Sequence, residues 1–484
     1  MKNEVFHIAK YTVLEKEEEE LKIVLWPDLP YWILVNQETV LLLSHIEGRT
    51  LEEMISEMRK VLNAEVDVAQ LRLFIENLKE AEVIWIGDNK PIEDQCFYKL
   101  VLRYVTINIT DTCNLFCKHC YIEASDKKHC HMTLEQIKTV MHKLKPLMIK
   151  SCTINVSGGE ALMNPDCIEI LNYIAGYEVR LNLVSNGTLL TEEIAEKLSK
   201  IPRFSIQISL DGASKETHEY IRGKNTYDKT IQGIMRCVSR GMNVSLSPIV
   251  SEEMYNEMED YFLLAKKLGV RSVFLQPINE VGRAKKNQLL RVDEAMAFKK
   301  FVELYKKYPE LEKYVPGSLD VQHLTSVKCL EKCLFCGSGV SSIAIQPDGN
   351  CYPCPNTIIP GYEFGNAFKD DIVEKWFESP ILKKMRQANV NKNLSSKCKQ
   401  CEVKLFCGGG CRGTAIKHTG DPYGMSPECD SARKRYIEML WVAAKEPQLF
   451  EYDVVRRQGD TEKLEAEAEV VLNGDERFIY EAGM

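Results

Sequence analysis

The chain has 484 residues and a net charge of −8, from 62 Lys and Arg against 70 Asp and Glu. That balance offers no basic surface to nucleic acid, and 45% hydrophobic with 27% charged residues excludes a largely disordered chain. No apolar run approaches the ~20 residues that span a bilayer. The N-terminus, MKNEVFHIAKYTVLEKEEEE, lacks the apolar core and small-residue cleavage site of a signal peptide. A cytoplasmic protein is expected, without membrane or nucleic-acid partners. In a reducing compartment its 18 cysteines point to metal rather than to disulfides.

Residues 1–92 contain no cysteine and read as one small domain. FHIAKYTVLEKEE, ELKIVLW and YWILVN are rich in Val, Ile, Tyr and Trp and predict three short strands. Pro27 and Pro30 precede the third, which places it at a sheet edge. Three helices follow. The first ends at Gly48, the second is capped by Thr50 with Glu53 three residues on, and the third covers about 67–83. Three strands and three helices suggest a winged-helix-like layout, too acidic for a recognition helix. The exposed edge over Tyr31, Trp32, Ile33, Leu34 and Val35, beside Leu71, Phe74 and Leu78 of the third helix, is a candidate peptide-binding groove. A purely structural cap is the equal alternative.

Residues 93–325 alternate between strand-like and helix-like segments. The strands are YVTINIT, CTINVSG, VRLNLVS, RFSIQISL, MNVSLSPI and RSVFLQP, with helical patterns at 133–147, 191–200, 226–240 and 252–268. Six such units predict a parallel sheet curled into a partial (β/α)6 barrel, an α/β fold. Function on such barrels gathers at the C-terminal strand ends. The first of those ends carries Cys113, Cys117 and Cys120 in C-x3-C-x2-C spacing. Three thiolates in one loop can hold three irons of a [4Fe–4S] cluster and leave the fourth open. A zinc site completed by His119 or His131 is the alternative.

This spacing on a strand–loop–helix resembles the radical SAM superfamily. The resemblance implies that Gly158, Gly159 and Glu160, at the end of the second strand, bind the methionine amino group of S-adenosylmethionine. It places Ser185 and Asn186, and Ser209 and Asp211, around the ribose and methionine, and Arg222 on the methionine carboxylate. Gly282-Arg283-Ala284 is also common in relatives and is assigned only to the lining of the substrate cavity.

Residues 326–440 are cysteine-dense. Cys336, Cys354, Cys398, Cys401, Cys407, Cys411 and Cys429 follow the pattern of the SPASM domain, which in relatives carries two auxiliary [4Fe–4S] clusters. By resemblance, one takes Cys398, Cys401, Cys407 and Cys429. The other takes Cys336, Cys354 and Cys411 with an upstream cysteine, Cys329 or Cys333, or with neither and an open iron. Cys351 is a further candidate, or a bystander. Cys96, Cys130, Cys152, Cys167 and Cys237 are scattered and read as small apolar fillers. Residues 441–484, after a helix at about 431–445, form an extension without a motif.

The resemblance implies three [4Fe–4S] clusters, S-adenosylmethionine and hydrogen-atom abstraction by a 5′-deoxyadenosyl radical. The residue after Cys354 is Pro355, where sulfatase-maturing relatives carry an acid, which argues against that activity. The head looks like the peptide-recognition element of enzymes that mature ribosomally made peptides, such as sactipeptide and ranthipeptide thioether-forming enzymes. The expected partners are a precursor peptide, through leader and core, and a reductant such as flavodoxin or ferredoxin. Thioether formation is expected. C–C or C–O crosslinking, or maturation of a peptide-derived cofactor, is the alternative, and an iron–sulfur electron carrier is the non-enzymatic one.

Overall fold

The computed structural model describes residues 4–29, 31–63, 65–88, 97–278, 282–289, 291–314, 336–447 and 479–481. The head comprises β1 (Phe6–Ile8), β2 (Thr12–Leu14), β3 (Lys22–Trp26), β4 (Tyr31–Val35), α1 (Gln37–Ser44), α2 (Leu51–Leu62), α3 (Val68–Glu80) and β5 (Ile84–Ile86). The first expected strand splits in two. β1 leaves the sheet to pair antiparallel with β5, which was not foreseen, while β2, β3 and β4 form an antiparallel meander. β4 lies at the edge, as the two prolines indicate. The Thr50–Glu53 capping box closes in both directions, at 3.3 and 2.8 Å.

Period-2 alternation divides the meander between two cores. Val24 and Trp26 face the head helices together with Met54, Leu71, Ile75 and Leu78. Ile23 and Leu25, with Trp32 and Leu34 against them, pack on Phe298, Val302, Phe406, Tyr436, Met439 and Leu440 of the body that follows. The head is therefore seated by one face of its sheet, and Lys404–Asp28 (2.5 Å) adds an ion pair at the seam.

The body begins with β6 (Phe97–Lys99) and β7 (Leu102–Asn108). It continues through α4 (Leu134–Leu144), β8 (Met148–Ser157), α5 (Cys167–Ala175), β9 (Arg180–Ser185), α6 (Glu192–Ser199) and β10 (Phe204–Ile208). α7 (Lys215–Arg222), α8 (Tyr227–Ser239), β11 (Asn243–Leu246), α9 (Glu252–Asn256), α10 (Met258–Leu268), β12 (Ser272–Val273), α11 (Gly282–Lys286) and α12 (Glu294–Lys307) complete it. β7 to β12 are parallel neighbours in sequence order, the expected six-strand array. The expected helix over 252–268 breaks at Glu257. That carboxylate is drawn away to accept from the backbone N–H groups of Ala213 and Ser214 and from the hydroxyls of Ser214 and Thr217.

The cysteine-rich region contributes β13 (Ser342–Ile345), β14 (Asn350–Tyr352), β15 (Gly365–Asn366), α13 (Ile372–Glu378), α14 (Pro380–Arg386), α15 (Ser396–Gln400), α16 (Lys404–Cys407), α17 (Arg412–Thr419) and α18 (Cys429–Lys445). Among the described residues it builds no sheet of its own. β13 pairs parallel with β7, so one nine-stranded sheet runs through both parts. A boundary at 440/441 cuts α18, whose Leu440 and Trp441 are buried under the head. Of the extension, β16 (Ile479–Glu481) pairs with β6, and residues 448–478 lie outside the described residues.

Candidate active site

The loop after β7 crosses the C-terminal mouth of the barrel. It begins with Ile109 N–H donating to the Ser157 carbonyl (2.9 Å). Gly159 N–H then donates to Thr110 O (2.8 Å), and Glu160 N–H to Thr112 O (2.9 Å). A Cβ on Gly159 would stand 2.2 Å from Thr112 O, and one on Gly158 2.3 Å from Thr110 O. The glycines thus serve close approach of two backbones. The segment expected to cradle an ammonium is also a splint for the cysteine loop.

Cys113 and Cys117 are each 7% exposed, and Cys113, Cys117 and Cys120 lie within electrostatic reach of one another. Burial pushes the Cys113 thiol up to about 12 and raises Cys117 as well. Without a cation Cys113 and Cys117 stay thiols; iron would deprotonate them outright. His119, expected as an alternative ligand, is held down at about 4 by burial. Among the described residues no three or more of His, Cys, Asp and Glu converge tightly enough to enclose a single ion.

Glu160 is 1% exposed. Its carboxylate accepts from Ser185 Oγ (3.0 Å), Asn186 N–H (2.7 Å) and Leu162 N–H (3.2 Å). Burial nevertheless lifts it above the usual carboxylate range, the donors notwithstanding. Asn186 Nδ2 reaches Asn114 of the cysteine loop at 2.9 Å. Asp211 behaves oppositely. Burial alone would raise it, but the Arg222 guanidinium beside it holds it below its ordinary value. Arg222 Nε donates to Asp211 Oδ2 at 2.6 Å, and Ile249 N–H to the other oxygen at 2.8 Å. Ser209 N–H donates to Ser185 O, which places it beside this network.

Arg283 was missed as a structural element of the loop. It is 6% exposed and donates from Nε to Cys117 O (2.7 Å) and from Nη1 to Ala124 O (2.8 Å). Its guanidinium lies 3.9 Å from the centre of the Phe116 ring. The only sequence signal is its neighbour Gly282, which takes φ +55° where a Cβ would meet Cys120 O at 2.6 Å.

Two further thiol sets follow, and Cys336, Cys398, Cys401, Cys407, Cys411 and Cys429 line a cavity of about 420 Å³. Cys336, Cys354 and Cys411 influence one another, and so do Cys398, Cys401, Cys407 and Cys429. Burial pushes Cys336 and Cys401 up to about 12 and Cys407 to about 11. Arg412, 1% exposed, ties the glycine turn between Cys407 and Cys411 to the carbonyls of Pro422 and Gly424, both at 2.9 Å. Cys329 and Cys333 lie outside the described residues. Cys351 is in the apolar core with its thiol on Gly349 O, apart from Cys354. Cys152, Cys167 and Cys237 are core fillers.

In the head, Leu71 and Leu78 are 6% and 1% exposed within its own core, so their side chains do not line a peptide groove; Phe74 is half-buried. Trp32 and Leu34 are half-buried against the body, and Tyr31, Ile33 and Val35 against the head helices. What β4 leaves unshared is its outer backbone edge.

Residues 107–265 match the Radical SAM superfamily, and residues 336–402 match the SPASM family, an iron–sulfur cluster-binding domain. The chain is 28% identical over 313 residues to the antilisterial bacteriocin subtilosin biosynthesis protein AlbA of Bacillus subtilis, covering 63% of this chain and 66% of that protein, just under two thirds of its length. It is 25% identical over 331 residues to the mycofactocin maturase MftC of Mycobacterium tuberculosis, covering 67% and 82%. It is also 28% identical over 365 residues to an AdoMet-dependent heme synthase of Methanosarcina barkeri, covering 68% and 96%. The fold is that of Streptococcus suis SuiB, solved with precursor peptide SuiA, at TM-score 0.53 and 14% identity over 87% of this chain and 98% of that one. With both matches and a thiol set in each region, the chain carries a Radical SAM domain and a SPASM iron–sulfur domain.

Proposed function

We propose that this enzyme modifies a ribosomally made precursor peptide in the cytoplasm, forming sulfur-to-carbon thioether crosslinks. The donor chemistry fits three [4Fe–4S] clusters. Cys113, Cys117 and Cys120 would hold the first. Cys336, Cys354 and Cys411, with Cys329 or Cys333, would hold the second, and Cys398, Cys401, Cys407 and Cys429 the third. Gly158, Gly159, Glu160, Ser185, Asn186, Ser209, Asp211 and Arg222 would surround S-adenosylmethionine. When bound, these groups supply hydrogen-atom abstraction from an unactivated C–H bond, with an electron from a flavodoxin- or ferredoxin-type partner. The chain's own work is to splint the cysteine loop, bury its thiols and keep water from the barrel mouth.

The observation that carries the peptide reading is the unshared edge of β4 on a head packed against the body. An extended leader can add there as a strand through its backbone. Tethering the leader raises the effective concentration of the core peptide at the barrel. Similarity to the subtilosin biosynthesis protein favours a peptide substrate, and similarity to the heme synthase supports a second reading, a tetrapyrrole substrate. Anaerobic incubation of the reconstituted enzyme with S-adenosylmethionine, a reductant and, in parallel assays, a Cys-containing peptide encoded in a neighbouring reading frame or a porphyrin tests both. Loss of two hydrogens per crosslink, placed between Cys Sγ and a carbon by fragmentation, is expected. An unaltered peptide beside a turned-over porphyrin would refute the reading.

A further inference from the structure

Arg222 carries two contacts made with different nitrogens. Nε is bound to Asp211 at 2.6 Å, and Nη1 stands 3.9 Å from Cys117 Sγ. Both residues of the pair are buried, at 8% and 0% exposure, and so is Cys117 at 7%. The arrangement is pinned from the backbone as well: Lys118 N–H donates to Ile221 O (2.9 Å), which joins the cysteine loop to the end of α7. Asp211 is itself immobilised by Ile249 N–H and, through its own N–H, by His218 Nδ1 (3.1 Å). A guanidinium that only clamped a methionine carboxylate would need neither its carboxylate anchor nor this approach to a sulfur.

We propose that Arg222, held by Asp211, is a positioning residue that presents an N–H and a positive charge to the Cys117 sulfur and thereby raises the reduction potential of the cluster at Cys113, Cys117 and Cys120. The inference rests on the reading that this triad holds a [4Fe–4S] cluster. Hydrogen bonds to cluster sulfurs and the local charge are among the levers that set such potentials. A cation in a dry site favours the form that carries the extra electron, because screening there is weak.

The test is an anaerobic redox titration followed by electron paramagnetic resonance. The triad's cluster is identified as the signal that shifts on adding S-adenosylmethionine and vanishes when all three cysteines are Ala. Asp211→Asn leaves the guanidinium charge unopposed and should move the potential upward. The paired variant Asp211→Asn/Arg222→Gln removes both charges together and should move it downward by about 59 mV, a tenfold loss in the one-electron reduction equilibrium. Binding of S-adenosylmethionine is measured on the same variants, because the sequence also places Arg222 on the methionine carboxylate. If only one variant folds, the sign of its shift decides. An unchanged potential with weakened S-adenosylmethionine binding would make Arg222 a carboxylate clamp and overturn the proposal. An unchanged potential with unchanged binding would reduce it to a structural ion pair. Wild-type protein without the triad's signal would instead remove the proposed function, and this inference with it.

Discussion

Arg283→Met isolates how the cysteine loop is held. The substitution keeps an apolar stem of similar length and removes the guanidinium from two buried carbonyls, Cys117 O at 2.7 Å and Ala124 O at 2.8 Å. A hydrogen bond from a charged donor contributes about 1.5–3 kcal/mol, and the contact with Phe116 adds about 0.5–1 kcal/mol. Because both bonds come from one side chain they do not add fully. A cost of about 3 kcal/mol, near the lower sum, follows. It falls on the loop between Cys113 and Ala124 rather than on the barrel core. At about 1.4 kcal/mol per decade it weakens iron retention by the triad roughly a hundredfold. The assay is competition with an iron chelator under anaerobic conditions, with the triad's cluster read by its response to S-adenosylmethionine. The thiols of the cysteine-rich region serve as the internal control, since Arg283 makes no described bond to them. Arg283→Lys, which can satisfy one carbonyl, should recover part of the loss. Retention equal to wild type in Arg283→Met would refute the buttress.

Replacing Cys113, Cys117 and Cys120 together by Ala should lower iron from about twelve to about eight per chain and abolish 5′-deoxyadenosine formation; residual cleavage would sink the site assignment. Pro at Ile33 or at Leu34 should separate the two edges of β4. The variant whose N–H faces β3 should loosen the head, and the other should weaken leader binding by fluorescence anisotropy with iron content intact; unchanged affinity in both, with the head folded, would rule out strand addition. Deleting the head outright is a poorer test, because it uncovers Phe298, Val302, Met439 and Leu440. His218 is fully buried and accepts from Asp211 N–H at Nδ1, and burial holds its imidazole down at about 4. With an unfolded value of about 6.5, the unfolded chain takes the proton first, so this group's contribution is complete above about pH 6.5 and is lost as pH falls toward 4. The gap corresponds to about 3 kcal/mol. His218→Gln should flatten the pH dependence of the apo-protein's denaturation midpoint in that window, and equal slopes in the two proteins would refute it.

Local chemistry carried much of this protein in plain view. The C-x3-C-x2-C spacing, the Gly-Gly-Glu one strand later and the seven cysteines of the tail are short-range patterns, because ligands to one cluster must come from a few adjacent loops. The Thr50 cap and the edge position of β4 were legible for the same reason: a capping box spans four residues, and Pro27 cannot donate to a ladder. What depended on the whole chain was which partner each patterned face meets. β3 alternates as any strand does, yet Ile23 and Leu25 pack on α12 and α18, hundreds of residues later, while Val24 and Trp26 pack on the head. The pairing of β13 with β7 and of β1 with β5 is equally non-local. Arg222 shows the limit most sharply. Its residue type suits a carboxylate, and the sequence cannot say that Asp211 and Cys117, 11 and 105 residues away, are its neighbours. Only folding brings those groups into a space dry enough for their charges to act on one another.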